Sequence, residues 1–188
     1  MPANAMVDTS PSLSPPTVDA VYAAACAAAY GSPVIENSYR GLVAEIIVTT
    51  ALAPDWHLCS AGWSGWDLQH VSGCRLEVKQ SAARQTWAAP KKPPTPGFGI
   101  PEKTGYYENG VTWTAQTGRH AHIYVFAYHP LVDETTDHRK ASQWQFNVVP
   151  TSQLPSAKSI SLVKLRSRSE TVLWGGLKIA VEQARATL

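Results

Sequence analysis

The sequence predicts one globular domain of the α/β (α+β) class, and three observations lead to this prediction. The length of 188 residues matches a single domain of ordinary size. The apolar fraction of 44% and the charged fraction of 16% are typical of a chain with a buried core. Apolar residues recur at helical spacing towards both ends, whereas apolar and polar residues alternate in the middle as they do in strands.

The N-terminal region is predicted to be a tail followed by a helix. Residues 1–16 contain four prolines among Ser, Ala and Asn, which favours a disordered tail, so we place the domain at 17–188. Thr17 is a suitable N-cap for a first helix that runs to Tyr30. The Gly-Ser-Pro sequence at 31–33 ends this helix, because Gly tolerates the left-handed conformation and Pro cannot continue a helix.

A second helix is predicted at about 36–53. Leu42, Ile46 and Thr49 recur at helical spacing and are expected to face the core. Glu45 lies three residues after Leu42 and one before Ile46, so it borders this buried stripe. A carboxylate in that position is unusual and needs an explanation.

Residues 64–81 are predicted to form a β-hairpin, with its turn at Ser72 and Gly73. Apolar and polar residues alternate on both sides of the turn. The apolar set is expected to project into the core: Trp66, Leu68, Leu76 and Val78.

The later elements are less regular in spacing. A Pro- and Gly-rich stretch at 90–110 is long enough to suggest a functional loop or a mobile flap. Strands are predicted at 121–128 and 143–149, and a short one at 160–165. The last helix is predicted to open with a capping box, Ser167-x-x-Glu170. Its core-facing residues would be Leu173, Leu177, Ala180, Val181 and Ala184.

The polar face of the hairpin carries residues suited to catalysis. With the turn centred on Ser72, Asp67 lies directly across from Glu77, and Lys79 shares their face because residues two apart in a strand point the same way. Directly opposed Cβ atoms are about 4.5–5.5 Å apart, so the two carboxylates repel each other unless a cation binds. Mg²⁺ typically binds one or two carboxylates, several waters and substrate phosphate oxygens. The pattern is therefore suited to a metal-dependent phosphodiesterase site.

Each polar residue has a role in such a site. A bound ion lowers the pKa of a water ligand and neutralises charge that develops on the phosphate. Lys79 is placed to orient that water or to stabilise the developing charge. Glu45 is placed to approach from the helix and hold a metal-bound water. The alternative interpretation is an ordinary solvated hairpin face that carries Arg75, Glu77 and Lys79 as surface charges.

A longer motif surrounds these residues. It consists of the run Gly65-Trp66-Asp67-Leu68 … Arg75-Leu76-Glu77-Val78-Lys79-Gln80-Ser81-Ala82, preceded by a helix with Arg40-Gly41-x-x-x-Glu45. The motif resembles the PD-(D/E)XK nuclease superfamily, which includes restriction endonucleases, junction resolvases and repair exonucleases. The resemblance covers 36–82 well and 121–150 loosely, as later strands. It implies a restriction-endonuclease-like fold, in which a central mixed β-sheet is flanked by helices.

The resemblance also implies residue roles, a cofactor and partners. Asp67 and Glu77 would bind Mg²⁺ or Mn²⁺, with the backbone carbonyl of Val78 as a further ligand. Lys79 would be the catalytic lysine, and Glu45 the acidic residue of the first core helix. The expected partner is nucleic acid, in the first place DNA. Many enzymes of this superfamily act as dimers, which implies a homodimer.

The chain departs from the superfamily pattern in two places. Trp66 stands where the proline that gives the superfamily its name precedes the aspartate, which is a common variation. The helix expected between the third and fourth core strands is not evident in the Pro-rich region 88–120. The topology of that region is therefore the point at which the resemblance is weakest.

Other residues near the motif are candidate substrate contacts. Gln80, Gln85 and Trp87 lie within it or just after it, and Trp87 is suited to stacking on a base. Packing beneath the Pro-rich stretch is the alternative role for Gln85 and Trp87.

Two further groups of candidate metal ligands occur later in the chain. His120-x-His122 would place two imidazoles on one face of a strand, but no Cys or carboxylate lies at a suitable spacing, so a structural role is favoured. Asp133, Glu134, Asp137 and His138 crowd a loop, for which a solvated turn is favoured over weak cation binding.

Composition restricts the compartment and the partners only loosely. The net charge of +2 is too small to indicate nucleic acid by itself. Three cysteines without a CxxC pair favour a reducing, cytoplasmic compartment over a disulfide framework. The Ala-rich stretch 20–29 is too short to span a bilayer, so no membrane partner is expected.

The sequence thus leads to three hypotheses about function. The first is a metal-dependent nuclease that hydrolyses DNA phosphodiester bonds. The second is a catalytically inactive protein of the nuclease fold that binds nucleic acid. The third is a small structural or interaction protein whose polar hairpin face is incidental. Metal-dependent cleavage of DNA separates the first hypothesis from the other two.

Overall fold

The computed structural model of the protein describes residues 14–59, 64–87, 95–108 and 111–188. The chain divides into two compact units, of which the first ends at Ser32 and the second spans Pro33–Leu188. The first unit contains helix α1, Val18–Tyr30, whose N-cap Thr17 accepts a hydrogen bond from the backbone N–H of Ala20 at 3.2 Å. The predicted first helix and its cap are confirmed. Most of the predicted tail lies outside the described residues.

The second unit is built around a six-stranded sheet. In chain order the described strands are β1 Trp56–Leu58, β2 Leu68–His70, β3 Arg75–Ala82, β4 Gly97–Gly99, β5 Tyr106–Glu108, β6 Thr112–Thr114, β7 Ile123–His129, β8 Gln145–Pro150, β9 Ser159–Ser161 and β10 Thr171–Leu173. The sheet order is β1-β2-β3-β7-β8-β10. Strand β3 runs parallel to β7, while every other neighbouring pair in this sheet is antiparallel. The sheet is therefore mixed.

Helices and short strands cover the two faces of this sheet. The second unit contains helices α2 Asn37–Leu52, α3 Leu162–Arg166 and α4 Leu177–Arg185. Helices α2 and α4 contribute to one buried cluster, together with side chains of β3 and β7 such as Val78 and Val125. Helix α3 and the β4–β9 pair contribute to a second cluster with Tyr124 and Phe126 of β7. The fold is thus mixed α+β, with a central mixed sheet flanked by helices, as the sequence predicted.

Helix α2 is confirmed in position, but its predicted buried stripe is wrong. Leu42 is 39% exposed and Ile46 is 47% exposed. The buried residues lie elsewhere on the helix: Arg40, Ala44, Ile47, Val48 and Leu52. Between 42 and 48 apolar residues occur on every side of this helix, so helical spacing alone does not identify the face that packs against the sheet.

The predicted β2–β3 hairpin is confirmed in register. Leu68 pairs with Leu76, and the turn contains Gly73 at φ +88°, a conformation that Gly adopts without steric cost. Trp66 is the exception to the predicted facing. It packs against the second cluster rather than with Leu68 and Leu76, because β2 begins only at Leu68 and the strand alternation does not extend back to residue 66.

The connection from β3 to β7 has an unexpected form. In its described parts (83–87, 95–108 and 111–122) it contains no helix. It contributes instead β4, which pairs with β9, and a small hairpin of β5 and β6. Part of the predicted loop at 90–110 is therefore regular structure, and its residues 90–94 and 109–110 lie outside the described chain.

Two C-terminal predictions need correction. The segment 160–165 is only partly a strand, since β9 ends at Ser161 and α3 follows at once. The capping box is wrong, because Glu170 precedes β10 and α4 begins only at Leu177. Asn147 of β8 donates hydrogen bonds to the backbone carbonyls of Ser169 and Glu170 at 3.0 and 3.1 Å, and β10 pairs with β8. Sheet pairing thus outweighs the local helix signal.

Helix α4 nevertheless presents most of the predicted core residues. Leu177 and Val181 are buried, and Ala180 and Ala184 pack against the first cluster. Leu173, predicted on the same helical face, is an exposed strand residue. No helix of the described chain combines the length and the apolarity needed to cross a membrane.

Candidate carboxylate–lysine site

Asp67 and Glu77 lie opposite each other where β2 and β3 separate. The Leu68–Leu76 pairing, continued by one residue, places the two carboxylates on the same face of the sheet. The backbone N–H of Asp67 donates to the carbonyl of Leu76 at 3.0 Å. The Asp67 carboxylate in turn accepts the backbone N–H of Val78 at 2.7 Å. Asp67 lies one residue before β2, and its carboxylate pairs with the Val78 N–H of β3 where β2 no longer supplies a partner. This hydrogen bond holds the carboxylate beside the Val78 peptide.

Glu77 is a buried carboxylate with two lysine partners. It is only 2% exposed, because β3 is a central strand covered on both faces. Lys79 Nζ lies 2.6 Å from its Oε1. Lys103 Nζ lies 3.1 Å from Oε1 and 3.2 Å from Oε2. An ammonium group thus contacts each carboxylate oxygen, which offsets the cost of burying the charge.

Lys103 was not identified in the sequence. It lies 26 positions after Glu77, in the connection that the sequence predicted as a loop or flap. Its backbone exchanges two hydrogen bonds of 2.9 Å with Gly118, and its ammonium also donates to the carbonyl of Gly65 at 3.1 Å. No motif or spacing relates Lys103 to the hairpin, so only the packing of the connection against the sheet shows the contact.

Aromatic packing fixes that connection beside the site. Tyr106 of β5 lies between Trp66, at 5.4 Å between ring centroids, and His120, at 4.6 Å. A Cβ atom on Gly65 would come within 2.9 Å of the Tyr106 Cβ, so this close approach requires glycine. The guanidinium of Arg75 lies over the Trp66 ring, 4.1 Å from its centroid. Side chains on either side of the site thus hold the segment that carries Lys103.

The acidic groups of the site disfavour one another's charge. Burial, followed by the charges of Glu77 and Glu45, raises the pKa of Asp67 to about 7, against the lowering effects of the Val78 N–H and of Lys79. Burial, followed by Glu77, also raises the pKa of Glu45, while Lys79 lowers it. Glu45 is therefore within electrostatic reach of both hairpin carboxylates. A cation added among these groups would relieve their repulsion.

The donor set fits a hard divalent cation with few protein ligands. Among the described residues, no three side chains of His, Cys, Asp or Glu are arranged to hold one metal ion. Glu45 is thus not placed as a third direct ligand beside Asp67 and Glu77. Mg²⁺ commonly needs only one or two carboxylates, since water completes its shell. Two carboxylates and the adjacent Val78 peptide meet that requirement.

The three predicted substrate contacts differ in their surroundings. Gln80 accepts a hydrogen bond from Arg40 Nε at 2.7 Å and donates to Asn37 Oδ1 at 3.1 Å, which ties β3 to the start of α2. Gln85 donates to the carbonyl of Ala82 at 2.7 Å. Trp87 is 57% exposed. Of the three side chains, that of Trp87 is thus the one accessible to a ligand.

The His120–His122 pair does not form a strand face, because β7 begins only at Ile123. His122 Nδ1 accepts the backbone N–H of Arg75 at 3.0 Å. His120 is buried, and its Nε2 has no partner within the described chain. Burial, then the charges of Lys103 and Arg75, lower the pKa of His120. His122 thus contacts the Arg75 backbone and His120 packs against the Tyr106 ring, which agrees with the structural role favoured from the sequence.

The loop after Pro130 is solvated only in part. Glu134 forms an exposed ion pair with Arg84, and Asp137 pairs with Arg139. His138 is fully buried, so its assignment to a solvated turn is wrong. Its ring pairs with a buried backbone group, because Nδ1 accepts the N–H of Ile35 at 3.0 Å.

His138 and His129 form a buried histidine cluster with Trp144. The two imidazoles are 4.8 Å apart and nearly perpendicular, and Trp144 donates its indole N–H to the His138 carbonyl at 2.9 Å. His129 Nε2 lies 3.1 Å from Gln143 Oε1. Since His138 Nδ1 accepts a hydrogen bond, the neutral ring carries its proton on Nε2. Burial, followed by the charge of Arg40 and then that of His129, lowers the pKa of His138 to about 4.

No protein-family model matches the chain. No curated protein sequence matches it either.

Proposed function

We propose that the protein is a metal-dependent nuclease that hydrolyses DNA phosphodiester bonds. The observation that supports this best is the convergence of Asp67 and Glu77 on one face of the β2–β3 hairpin, with Lys79 against Glu77. Burying two carboxylates together costs stability, so a protein without a use for them would gain by replacing one. A divalent cation gives the pair a use.

The residues of the site divide the work of phosphodiester hydrolysis. Asp67, Glu77 and the Val78 carbonyl would hold Mg²⁺ or Mn²⁺, which supplies an activated water and neutralises charge on the phosphate. Lys79 is only partly exposed, at 29% of its side chain, and would orient that water or stabilise the developing charge. Glu45 would accept a hydrogen bond from a metal-bound water, as its position within electrostatic reach suggests.

The resemblance to the PD-(D/E)XK superfamily supports the choice of DNA as the substrate. The same motif residues form the site, and the mixed sheet with flanking helices agrees with the fold that the resemblance implies. The resemblance further suggests a homodimer, and the cysteine content suggests a cytoplasmic protein. Trp87, exposed just beyond β3, is the candidate for stacking on a base.

Cleavage of plasmid and linear DNA with Mg²⁺ or Mn²⁺ tests the proposal. We expect wild-type protein to cleave, and Lys79→Ala to lower the rate by about 10²–10³-fold through loss of charge stabilisation. Asp67→Ala should abolish cleavage, with near-UV circular dichroism confirming that both variants fold. Lys158→Ala, which removes an exposed lysine outside the site, is the matched control and should cleave like wild type.

Absence of both cleavage and Mn²⁺ binding in folded wild-type protein would overturn the proposal. Retained affinity for DNA would then identify a nucleic-acid-binding protein of similar architecture. Loss of that affinity as well would leave a structural or interaction protein.

A further inference from the structure

The two lysines that contact Glu77 differ in their attachment to the fold. Lys79 is two residues from Glu77 on β3, so it shares the face of the carboxylate in every state of the strand. Lys103 reaches Glu77 from the connection between β3 and β7, and its side chain is 35% exposed. The Lys103 ammonium can therefore leave the carboxylate without any change in the sheet.

The Lys103 ammonium occupies a position that a metal ion would use. It lies within 3.2 Å of both oxygens of Glu77 and also contacts the carbonyl of Gly65. Divalent ions bind carboxylate oxygens at about 2.0–2.6 Å, which brings them close to any ammonium held by the same oxygens. Two cations at such a separation repel each other strongly in a partly buried site. Metal binding at Glu77 and the present position of Lys103 therefore compete.

Displacement would leave Lys103 beside the site rather than far from it. Its backbone remains fixed by the two hydrogen bonds with Gly118, and Tyr106, three residues on, is packed between Trp66 and His120. The ammonium at the end of the flexible four-carbon stem then needs a new acceptor close by. A phosphate bound to the same metal ion offers anionic oxygens, which lysine contacts as a point charge.

We propose that Lys103 is a metal-displaced positioning residue: it neutralises Glu77 in the metal-free protein and, once a divalent ion binds there, turns to a phosphate of the substrate. This inference rests on the proposed nuclease function. It adds a residue to the site that the hairpin motif does not contain. It also gives Lys103 opposite effects on two ligands, since the lysine opposes the metal and favours the substrate.

Isothermal titration with Mn²⁺ measures the first effect. Lys103→Met removes the competing charge while keeping the apolar stem, and should bind Mn²⁺ about two- to fivefold more tightly than wild type, as loss of a partly exposed ion pair implies. Lys103→Arg should stay near the wild-type affinity. Lys158→Met removes a lysine charge from an exposed position outside the site and should leave the affinity unchanged.

Steady-state cleavage kinetics measure the second effect. At saturating Mn²⁺, Lys103→Met should raise KM for DNA about two- to tenfold because a phosphate contact is lost, with a smaller change in kcat. Lys103→Arg should restore KM. A merely structural role for Lys103 predicts that the methionine variant weakens metal and DNA binding together.

The outcomes distinguish this inference from the function on which it rests. If wild type binds Mn²⁺ and cleaves, but folded Lys103→Met binds the ion equally or less tightly, the role of Lys103 is overturned and the nuclease proposal stands. If wild type neither binds Mn²⁺ nor cleaves DNA, the nuclease proposal fails, and with it the competition at Glu77. Should the methionine variant not fold, Lys103→Gln provides the same comparison with a polar side chain.

Discussion

The carboxylate–lysine site and the buried histidine cluster both place polar side chains inside the Pro33–Leu188 unit, with opposite electrostatic character. In the first, burial together with the charges of Glu77 and Glu45 raises the pKa of Asp67 to about 7. In the second, burial and a nearby cation lower the pKa of His138 to about 4, which keeps the ring neutral.

This difference separates a region in which like charges lie close together from a region in which the buried polar ring is neutral. A neutral imidazole costs less to bury than a charged one. His138 also joins distant segments, because its Nδ1 accepts the backbone N–H of Ile35 and its backbone carbonyl accepts the indole N–H of Trp144. At the hairpin, burial of Asp67 beside the charges of Glu77 and Glu45 costs stability, and the two lysines offset this cost at Glu77. Sites of function characteristically retain such costs. The two regions should therefore respond in opposite ways to the loss of a polar side chain.

The largest expected effect is on activity, at Asp67. Asp67→Asn retains an oxygen that can accept the Val78 N–H but loses the charge that would bind a metal ion. We expect cleavage of DNA to disappear while the metal-free protein becomes more stable, by about 1–2 kcal/mol, because a repelled buried charge is removed. Urea unfolding in the presence of EDTA measures the stability. If Asp67→Asn lowered the free energy of unfolding instead, Asp67 would stabilise the metal-free fold, and the two regions would respond alike to the loss of a polar side chain.

The next effect is on stability, at the histidine cluster. His138→Ala removes a buried acceptor and leaves a cavity beside Trp144, so we expect a loss of about 2–4 kcal/mol in the free energy of unfolding. His122→Ala is the matched control, because His122 also accepts a backbone N–H at 3.0 Å but is exposed, so water can replace it. Its cost should stay below about 1 kcal/mol. Equal losses in the two variants would contradict a special role for the buried ring.

The third effect is on the pH dependence of stability. Between pH of about 6.5 and about 4 the unfolded chain protonates His138 while the folded chain does not, so stability falls as the pH is lowered, by up to about 3 kcal/mol. The groups around His138 act in both directions, since Arg40 and His129 lower its pKa and Asp137 raises it.

Asp67 acts with the opposite sign in an overlapping window. Its folded-state pKa is raised, so the folded chain holds the extra proton and stability falls as the pH rises towards about 7. The measurement is therefore best made in the Asp67→Asn background, by comparing urea unfolding at several pH values with and without His138→Asn. In that background, the His138→Asn variant should show a flatter dependence of unfolding free energy on pH between pH of about 4 and about 6.5. If the unfolding free energies with and without His138→Asn changed in parallel with pH, His138 would not be the source of the pH dependence.

The sequence predicted that Asp67 faces Glu77 because this facing depends on local geometry. The turn at Gly73 fixes the register, and the register places Asp67 opposite Glu77, so both facts follow from a short stretch of chain. Lys103 and the histidine cluster depend on contacts between segments far apart in the sequence. No spacing rule identifies such contacts.

The fold shows the same division between local and distant causes. The capped helix α1 was predicted with its N-cap, since its signals lie within a few residues. The buried face of α2 was not, because apolar residues surround the helix and the sheet selects the face. The capping box at Ser167 failed for a similar reason, since pairing of β10 with β8 holds the segment extended.

The turn of the hairpin also limits how this protein can change in length. One residue inserted between His70 and Cys74 would shift β2 against β3 by one position and turn Asp67 away from Glu77. Two inserted residues would preserve the facing, because side chains in a strand repeat with a period of two. Homologous chains that keep the site should therefore differ at this turn by even numbers of residues, a parity that can be read from sequences alone.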